Sequence, residues 1–198
     1  MLFTDGSVNT QSNIGYGAYL AVPETGFSLD SLRTRVKVKR FKHTTSTKLE
    51  LQTLLWALCE IQTSAIKVIV YTDSQNITGL QARRDRFEQN DYRSKKNRRF
   101  NNYELYQEFY RMNDQLDCEF VKVRGHQVPN QKDDIDKLFT LVDRASRSAL
   151  RGDKRKLYQK KQNPLFLRCR HGSLLRLPFI QTPVKEQFAV LHKQNGKG

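Results

Sequence analysis

The chain has 198 residues, 37% of them hydrophobic and 28% charged, and carries a formal net charge of +15. That length accommodates one sizeable core and argues against a second full domain, while the excess of positive charge points to an anionic partner. No apolar run approaches the roughly 20 residues of a membrane-spanning helix, and the three cysteines, Cys59, Cys118 and Cys169, are odd in number and far apart. The expectation is therefore a cytoplasmic monomer with free thiols, two of them in the core, and no disulfide.

In chain order, Leu2-Phe3-Thr4 reads as a short strand running into Asp5-Gly6-Ser7. A polar stretch over residues 8–13 separates it from a second strand, Gly15-Tyr16-Gly17-Ala18-Tyr19-Leu20-Ala21-Val22, so the two form a hairpin. Over residues 33–39, Val36 and Val38 alternate with Arg35, Lys37 and Lys39, which predicts a third strand with one wet, basic side. Leu51, Leu54, Leu55, Leu58 and Ile61 then recur at helical spacing. At the start of that helix Thr47 and Glu50 form a Thr-x-x-Glu pattern, in which Glu50 would reach back to the Thr47 backbone N–H as a cap. Residues 67–72 are nearly all apolar and predict a strand buried on both faces. It delivers Asp73 at its carboxyl end, where open sheets place binding sites.

Residues 83–99 change in composition, with Arg83, Arg84, Arg86, Arg93, Lys95, Lys96, Arg98 and Arg99 interleaved with Phe87 and Tyr92. Basic and aromatic residues in this mixture suit phosphate contact together with stacking. A helix with Tyr103, Leu105, Tyr106, Phe109, Tyr110 and Leu116 follows, then an alternating strand over 118–123. After it come Arg124-Gly125-His126-Gln127, a polar loop, and a last helix over residues 135–150 that contains Asp143.

Asp5, Glu50, Asp73 and Asp143 thus each stand at the edge of an apolar segment. Brought together on one sheet they would repel unless a cation joined them, and an all-oxygen donor set favours Mg²⁺ or Mn²⁺ over zinc. Two such ions about 3.5–4 Å apart activate a water and stabilise the leaving oxygen of a phosphodiester. No Cys/His cluster, phosphate loop or dinucleotide glycine pattern competes with this reading.

The segments Phe3-Thr4-Asp5-Gly6-Ser7, Gly15-Tyr16-Gly17-Ala18, Thr47-Lys48-Leu49-Glu50-Leu51, Tyr71-Thr72-Asp73-Ser74-Gln75, Val123-Arg124-Gly125-His126 and Asp143-Arg144-Ala145-Ser146, in this order, resemble type 1 ribonuclease H. The resemblance covers residues 1–150. It implies an α/β fold, ribonuclease H-like, with a five-stranded mixed sheet flanked by helices, and an endonuclease that cuts the RNA strand of RNA–DNA hybrids with two Mg²⁺ ions, for which Mn²⁺ substitutes. It also implies metal-ligand roles for Asp5, Glu50, Asp73 and Asp143, with Asp5 bridging both ions, and a helper role in proton transfer or product departure for His126. Thr45 matches a threonine that holds a DNA-strand phosphate, and Gln75 a glutamine near the substrate. Arg83, Arg84, Lys95 and Lys96 fall in a segment similar to the basic protrusion with which some members grip the DNA strand.

Three departures from the family pattern bear on this reading. Ser46 and Thr47 stand where the family often has two asparagines that contact RNA 2′-hydroxyls; both residues still hydrogen-bond. His126 and Asp143 are 17 residues apart, a longer interval than usual, and Asp133, Asp134 and Asp136 within it are alternative fourth ligands. The protrusion also lacks tryptophan, since Trp56 is the only one in the chain. Beyond residue 150 nothing matches the family; residues 151–198 carry twelve basic residues against two acidic ones, with apolar stretches at 165–167 and 174–180. They read as a basic accessory extension that adds phosphate affinity. Two other tasks suit the same sequence: a hybrid- or duplex-binding module that has lost turnover, and the ribonuclease H component of a mobile-element or reverse-transcriptase system.

Overall fold

The computed structural model describes residues 1–23, 29–61, 67–123 and 133–162. Strand β1 (Leu2–Asn9) pairs antiparallel with β2 (Ile14–Ala21), with Asp5 opposite Ala18 and Gly6 opposite Gly17. A short helix, α1 (Leu29–Arg33), precedes β3 (Lys37–Lys42), which pairs antiparallel with β2. Helix α2 (Ser46–Glu60) leads to β4 (Val68–Thr72), which returns parallel to β1. Then come α3 (Gln75–Thr78), a 3₁₀ turn at Gln81–Arg83, α4 (Arg84–Gln89) and α5 (Tyr103–Gln115). Strand β5 (Cys118–Lys122) pairs parallel with β4, and α6 (Asp134–Gln162) ends the described chain. The result is one mixed sheet of order β3-β2-β1-β4-β5, the architecture that the resemblance implies.

Strand alternation sorts side chains to two faces, and each face has its own core. On one side Leu2, Tyr19, Val68 and Val70 pack with Leu51, Leu54, Leu55 and Leu58 of α2 and with Tyr106, Phe109 and Tyr110 of α5. On the other, Phe3, Ala18, Leu20 and Val123 pack with Leu138, Phe139 and Val142 of α6. Helix α2 lies unusually close to the sheet because the paired positions Gly6 and Gly17 offer it no side chain. A Cβ on Gly17 would sit 2.0 Å from Thr53 Oγ1, and one on Gly6 2.9 Å from Leu49 Cγ. This close approach seats the start of α2, with Glu50 next to the fully buried Leu49, against the sheet.

Several expectations shift. The third strand begins at Lys37 and not at residue 33; as the edge of the sheet it is exposed at every position except the half-buried Phe41, and not on one side only. β4 is alternately buried and half-buried, Val68, Val70 and Thr72 being the buried set. Helix α2 is capped by Thr45, whose Oγ1 accepts the Lys48 N–H at 3.4 Å, so Thr47 is not the cap and Glu50 is free for another purpose. Cys59 is exposed, so it is not a core residue, while Cys118 is half-buried and packs against the core; both are free thiols, and Cys169 lies outside the described residues. The last helix passes residue 150 without a break and continues to Gln162. Among the described residues no helix is long and apolar enough to cross a membrane.

Candidate active site

Asp5 belongs to the strand face that also carries Phe3, which stacks on Tyr71 of β4 with ring centroids 4.9 Å apart. Phe3 and Tyr71 are in register on the parallel pair; two residues on from each stand Asp5, midway along β1, and Asp73, just past the end of β4. Helix α6 crosses this face. Ser146, fully buried, donates from Oγ to Asp5 Oδ2 at 2.5 Å and lies 3.0 Å from the Asp143 carbonyl oxygen. One helical turn therefore carries both the serine that holds Asp5 and the carboxylate of Asp143, which accepts from Arg147 at 2.7 Å.

Glu50 reaches the same region from the opposite layer. Its carboxylate accepts from Ser74 Oγ at 2.5 Å and from Ser46 Oγ at 3.4 Å. Ser74 also caps α3 by accepting the Ile77 N–H at 3.3 Å, which ties Glu50 to the end of β4 next to Asp73.

The electrostatics follow from this arrangement. The Asp5 carboxyl is pushed up to about 6, first by burial and then by the charges of Asp73 and Asp143, with the Ser146 hydrogen bond pulling the other way. Glu50 is likewise raised, first by burial and also by Asp73, against the hydrogen bonds from Ser74 and Ser46. Asp5 thus lies within electrostatic reach of Asp73 and Asp143, and Glu50 within reach of Asp73, and the donors that hold Asp5 and Glu50 are serine hydroxyls, not cations.

These residues fit a hard divalent cation in chemistry. All the candidate donors are oxygens, and a cation would remove both the burial penalty and the mutual repulsion at Asp5. Among the described residues no three His, Cys, Asp or Glu side chains are gathered around a single point; Asp5 and Glu50 are turned to serines and Asp143 to an arginine.

The alternatives for the fourth ligand have other occupations. Asp133 accepts the Asp136 N–H at 2.7 Å at the start of α6, and Asp134 pairs with Lys137 at 2.8 Å. Asp136 lies seven residues before Asp143, about 10 Å along the helix axis. Asp143 and Asp73 are the carboxylates that raise Asp5.

Thr45 and Ser46 are exposed at the start of α2, and Gln75 is exposed at the first turn of α3. In the basic segment the structure separates two groups. Arg83 donates to the Gly79 carbonyl at 2.8 Å and to the Asn76 carbonyl and side chain, and Arg84 forks onto Asp114 at 2.5 and 2.8 Å while also meeting Glu88 at 2.9 Å. Both guanidiniums are engaged by the protein. Lys95 and Lys96 project from a tight turn closed by Ser94 N to Arg98 O at 2.8 Å and Asn97 N to Ser94 O at 2.8 Å, and both are exposed. His126 lies outside the described residues.

Sequence reasoning missed Ser146 and Ser74 as the groups that orient Asp5 and Glu50. Ser74 follows a candidate ligand directly, and Ser146 stands at the i+3 position from Asp143, one turn on along the same helix. No local pattern, however, announces a contact 141 residues distant.

The family profile for RNase H matches residues 1–142, ending one residue before Asp143. No curated protein matches the chain. Among solved structures, the chain is similar to a foamy viral protease-reverse transcriptase in complex with dsDNA, with a TM-score of 0.54 and 14% identity, covering 73% of this chain and 92% of that one. At that identity the likeness is one of fold, and it agrees with the sheet order and the two helical layers. With the profile spanning more than half of the sequence, the chain belongs to the ribonuclease H family and is an endoribonuclease of RNA–DNA hybrids.

Proposed function

We propose that hydrolysis of the RNA strand runs at a two-metal site held by Asp5, Glu50, Asp73 and Asp143. The observation that carries this reading is the convergence at Asp5: a half-buried carboxylate on the central strand, raised by two further aspartates and steadied by a serine. Two divalent cations, Mg²⁺ or Mn²⁺, would supply charge neutralisation, a nucleophilic water at neutral pH and stabilisation of the leaving oxygen. Asp5, the most enclosed of the four, is the carboxylate suited to face both ions. Ser146 holds its orientation, and Ser74 and Ser46 hold that of Glu50. Arg147 must give up its share of Asp143 when a cation takes it.

Thr45 and Ser46 present hydroxyls to the substrate backbone and the RNA 2′-hydroxyls. Gln75, exposed two residues after Asp73, contacts the substrate. Lys95 and Lys96 hold DNA-strand phosphates. His126 assists proton transfer to the departing 3′-oxygen or release of product. The reading has the enzyme act as a cytoplasmic monomer, in keeping with free thiols at Cys59 and Cys118, with residues 151–198 as a basic accessory extension that adds phosphate affinity.

The test is incubation of purified protein with a hybrid labelled on each strand. Cutting should be confined to RNA, should require Mg²⁺ or Mn²⁺, and should be abolished by Asp73→Asn. Tight, salt-dependent binding with no product under any divalent cation would instead identify a binding module.

A further inference from the structure

Four arginines of α6, Arg144, Arg147, Arg151 and Arg155, recur at intervals of three, four and four residues. At 3.6 residues per turn they share one face, and all four are exposed. The opposite face carries Leu138, Val142, Ser146 and Leu150, all buried, so the stripe points away from the sheet. Its near edge adjoins the active site, because Arg147 bonds Asp143 at 2.7 Å.

The acidic residues of α6 neutralise this face at Arg147 alone. Asp134 is taken by Lys137, Asp143 by Arg147 and Asp153 by Arg40. Among the described residues Arg144, Arg151 and Arg155 have no partner. Elsewhere the arginines are mostly satisfied internally: Arg83 by Gly79 and Asn76, Arg84 by Asp114, Arg93 and Arg99 by Asp91, Arg111 by Glu108. Like charges at i,i+3 and i,i+4 destabilise a helix, and the favourable helix-terminus field is confined to the last turn, which Arg144, Arg147 and Arg151 do not reach. The stripe is therefore a cost to the folded protein alone, of the kind a bound polyanion relieves.

We propose that this stripe is a second contact surface for the nucleic-acid backbone, engaging the duplex beyond the cleavage site on its Asp143 side. The proposal rests on the ribonuclease reading for its ligand. Eleven residues of helix extend about 16 Å, which matches roughly five nucleotides of one strand at about 3.4 Å each. Guanidinium forks grip phosphate oxygens in pairs, which suits arginine at these positions. The consequence is a preference for hybrids longer than the active site covers.

The experiment compares full-length wild type with the double variant Arg151→Gln/Arg155→Gln, and with Lys67→Gln/Arg111→Gln as a charge-matched control. Affinity is measured in EDTA, across salt, for a long hybrid and for one short enough to cover only the active site. The stripe variant should bind the long hybrid about tenfold more weakly at low salt, and its slope of log Kd against log salt should fall by about two, one for each lost phosphate contact. Affinity for the short hybrid should fall much less than affinity for the long one, and Arg151→Lys/Arg155→Lys should keep most of the slope. The Gln variant should melt no lower than wild type, since its loss removes repulsion. An effect no larger than the control's overturns the proposal and leaves a solvated face or an acidic protein partner; so does a marked drop in melting temperature, which would make the arginines structural. Failure of wild type to cut even the short hybrid would reject the proposed function while leaving the binding comparison readable.

Discussion

Two charged regions of this molecule are organised in opposite ways. Around Asp5, carboxylates of like sign are collected in partial burial; the donors given to Asp5 and Glu50 are serine hydroxyls, and Asp143 alone has a cation. Across residues 83–99, opposite charges are matched: Arg84 with Glu88 and Asp114, Arg93 and Arg99 with Asp91. The first arrangement opposes folding unless a cation joins the carboxylates. In the second most of the arginines serve the fold, and Lys95 and Lys96 stay exposed. Formal charge therefore misleads about role: the basic segment looks functional by composition, yet the acidic quartet is where charge is left unresolved.

The largest effect expected from this contrast is on catalysis. Replacing Asp73 by Asn removes a ligand and its charge while keeping shape. Loss of several kcal/mol of transition-state stabilisation corresponds to at least about a thousandfold fall in hybrid cleavage. Single-turnover assays in saturating Mg²⁺ would read it, and a fall under tenfold would place the chemistry elsewhere.

Ser146→Ala should act on the same site one step removed. Without its hydroxyl Asp5 loses a fixed orientation, and the Mg²⁺ or Mn²⁺ concentration for half-maximal activity should rise about 10- to 100-fold. The KM for hybrid should be little changed, and Ser146→Thr should restore most of the loss.

The third effect is on stability and has the opposite sign. Asp5 is raised to about 6 in the folded state, above the unfolded value of about 3.9. Its contribution to stability is therefore fully present below about pH 4 and is lost as pH rises through about 6. At pH 8 the cation-free protein should carry a penalty of about 2–3 kcal/mol, so Asp5→Asn should raise the melting temperature by several degrees there and by little at pH 4. Added Mg²⁺ should stabilise wild type and not the variant.

The smallest expected effects separate the two kinds of cation in the basic segment. Arg83→Ala should cost about 1–3 kcal/mol of stability, since it strands the Gly79 and Asn76 acceptors. Lys96→Ala should leave stability within about 0.5 kcal/mol while lowering hybrid affinity and flattening its salt dependence. The reverse assignment would erase the distinction drawn between the two groups.

Much of this was legible in the chain. The strands at Leu2–Asn9, Ile14–Ala21 and Val68–Thr72 and the helix Ser46–Glu60 follow from alternation and helical spacing, because each has one clear apolar face. The third strand was misplaced: as an edge it buries almost nothing, so alternation there carries no packing information. The Thr-x-x-Glu pattern suggested a cap at Thr47, but tertiary contact with Ser74 holds Glu50, and Thr45 takes the cap. The pairing of Ser146 with Asp5 depends on how α6 crosses the sheet, which no window of local sequence contains. That Arg83 and Arg84 are engaged within the protein was not legible, because composition cannot show that Asn76 and Asp114 lie opposite them.

The most direct test concerns which aspartate completes the site, since the family profile stops at residue 142 while the structure brings Asp143 to Asp5. Cleavage of a labelled RNA–DNA hybrid in Mg²⁺ should be compared for Asp143→Asn and Asp136→Asn, with thermal melting as a check on folding. Retained cutting in the Asp136 variant with loss of at least about a hundredfold in the Asp143 variant is the expected result; the opposite pattern would contradict the carboxylate quartet described above.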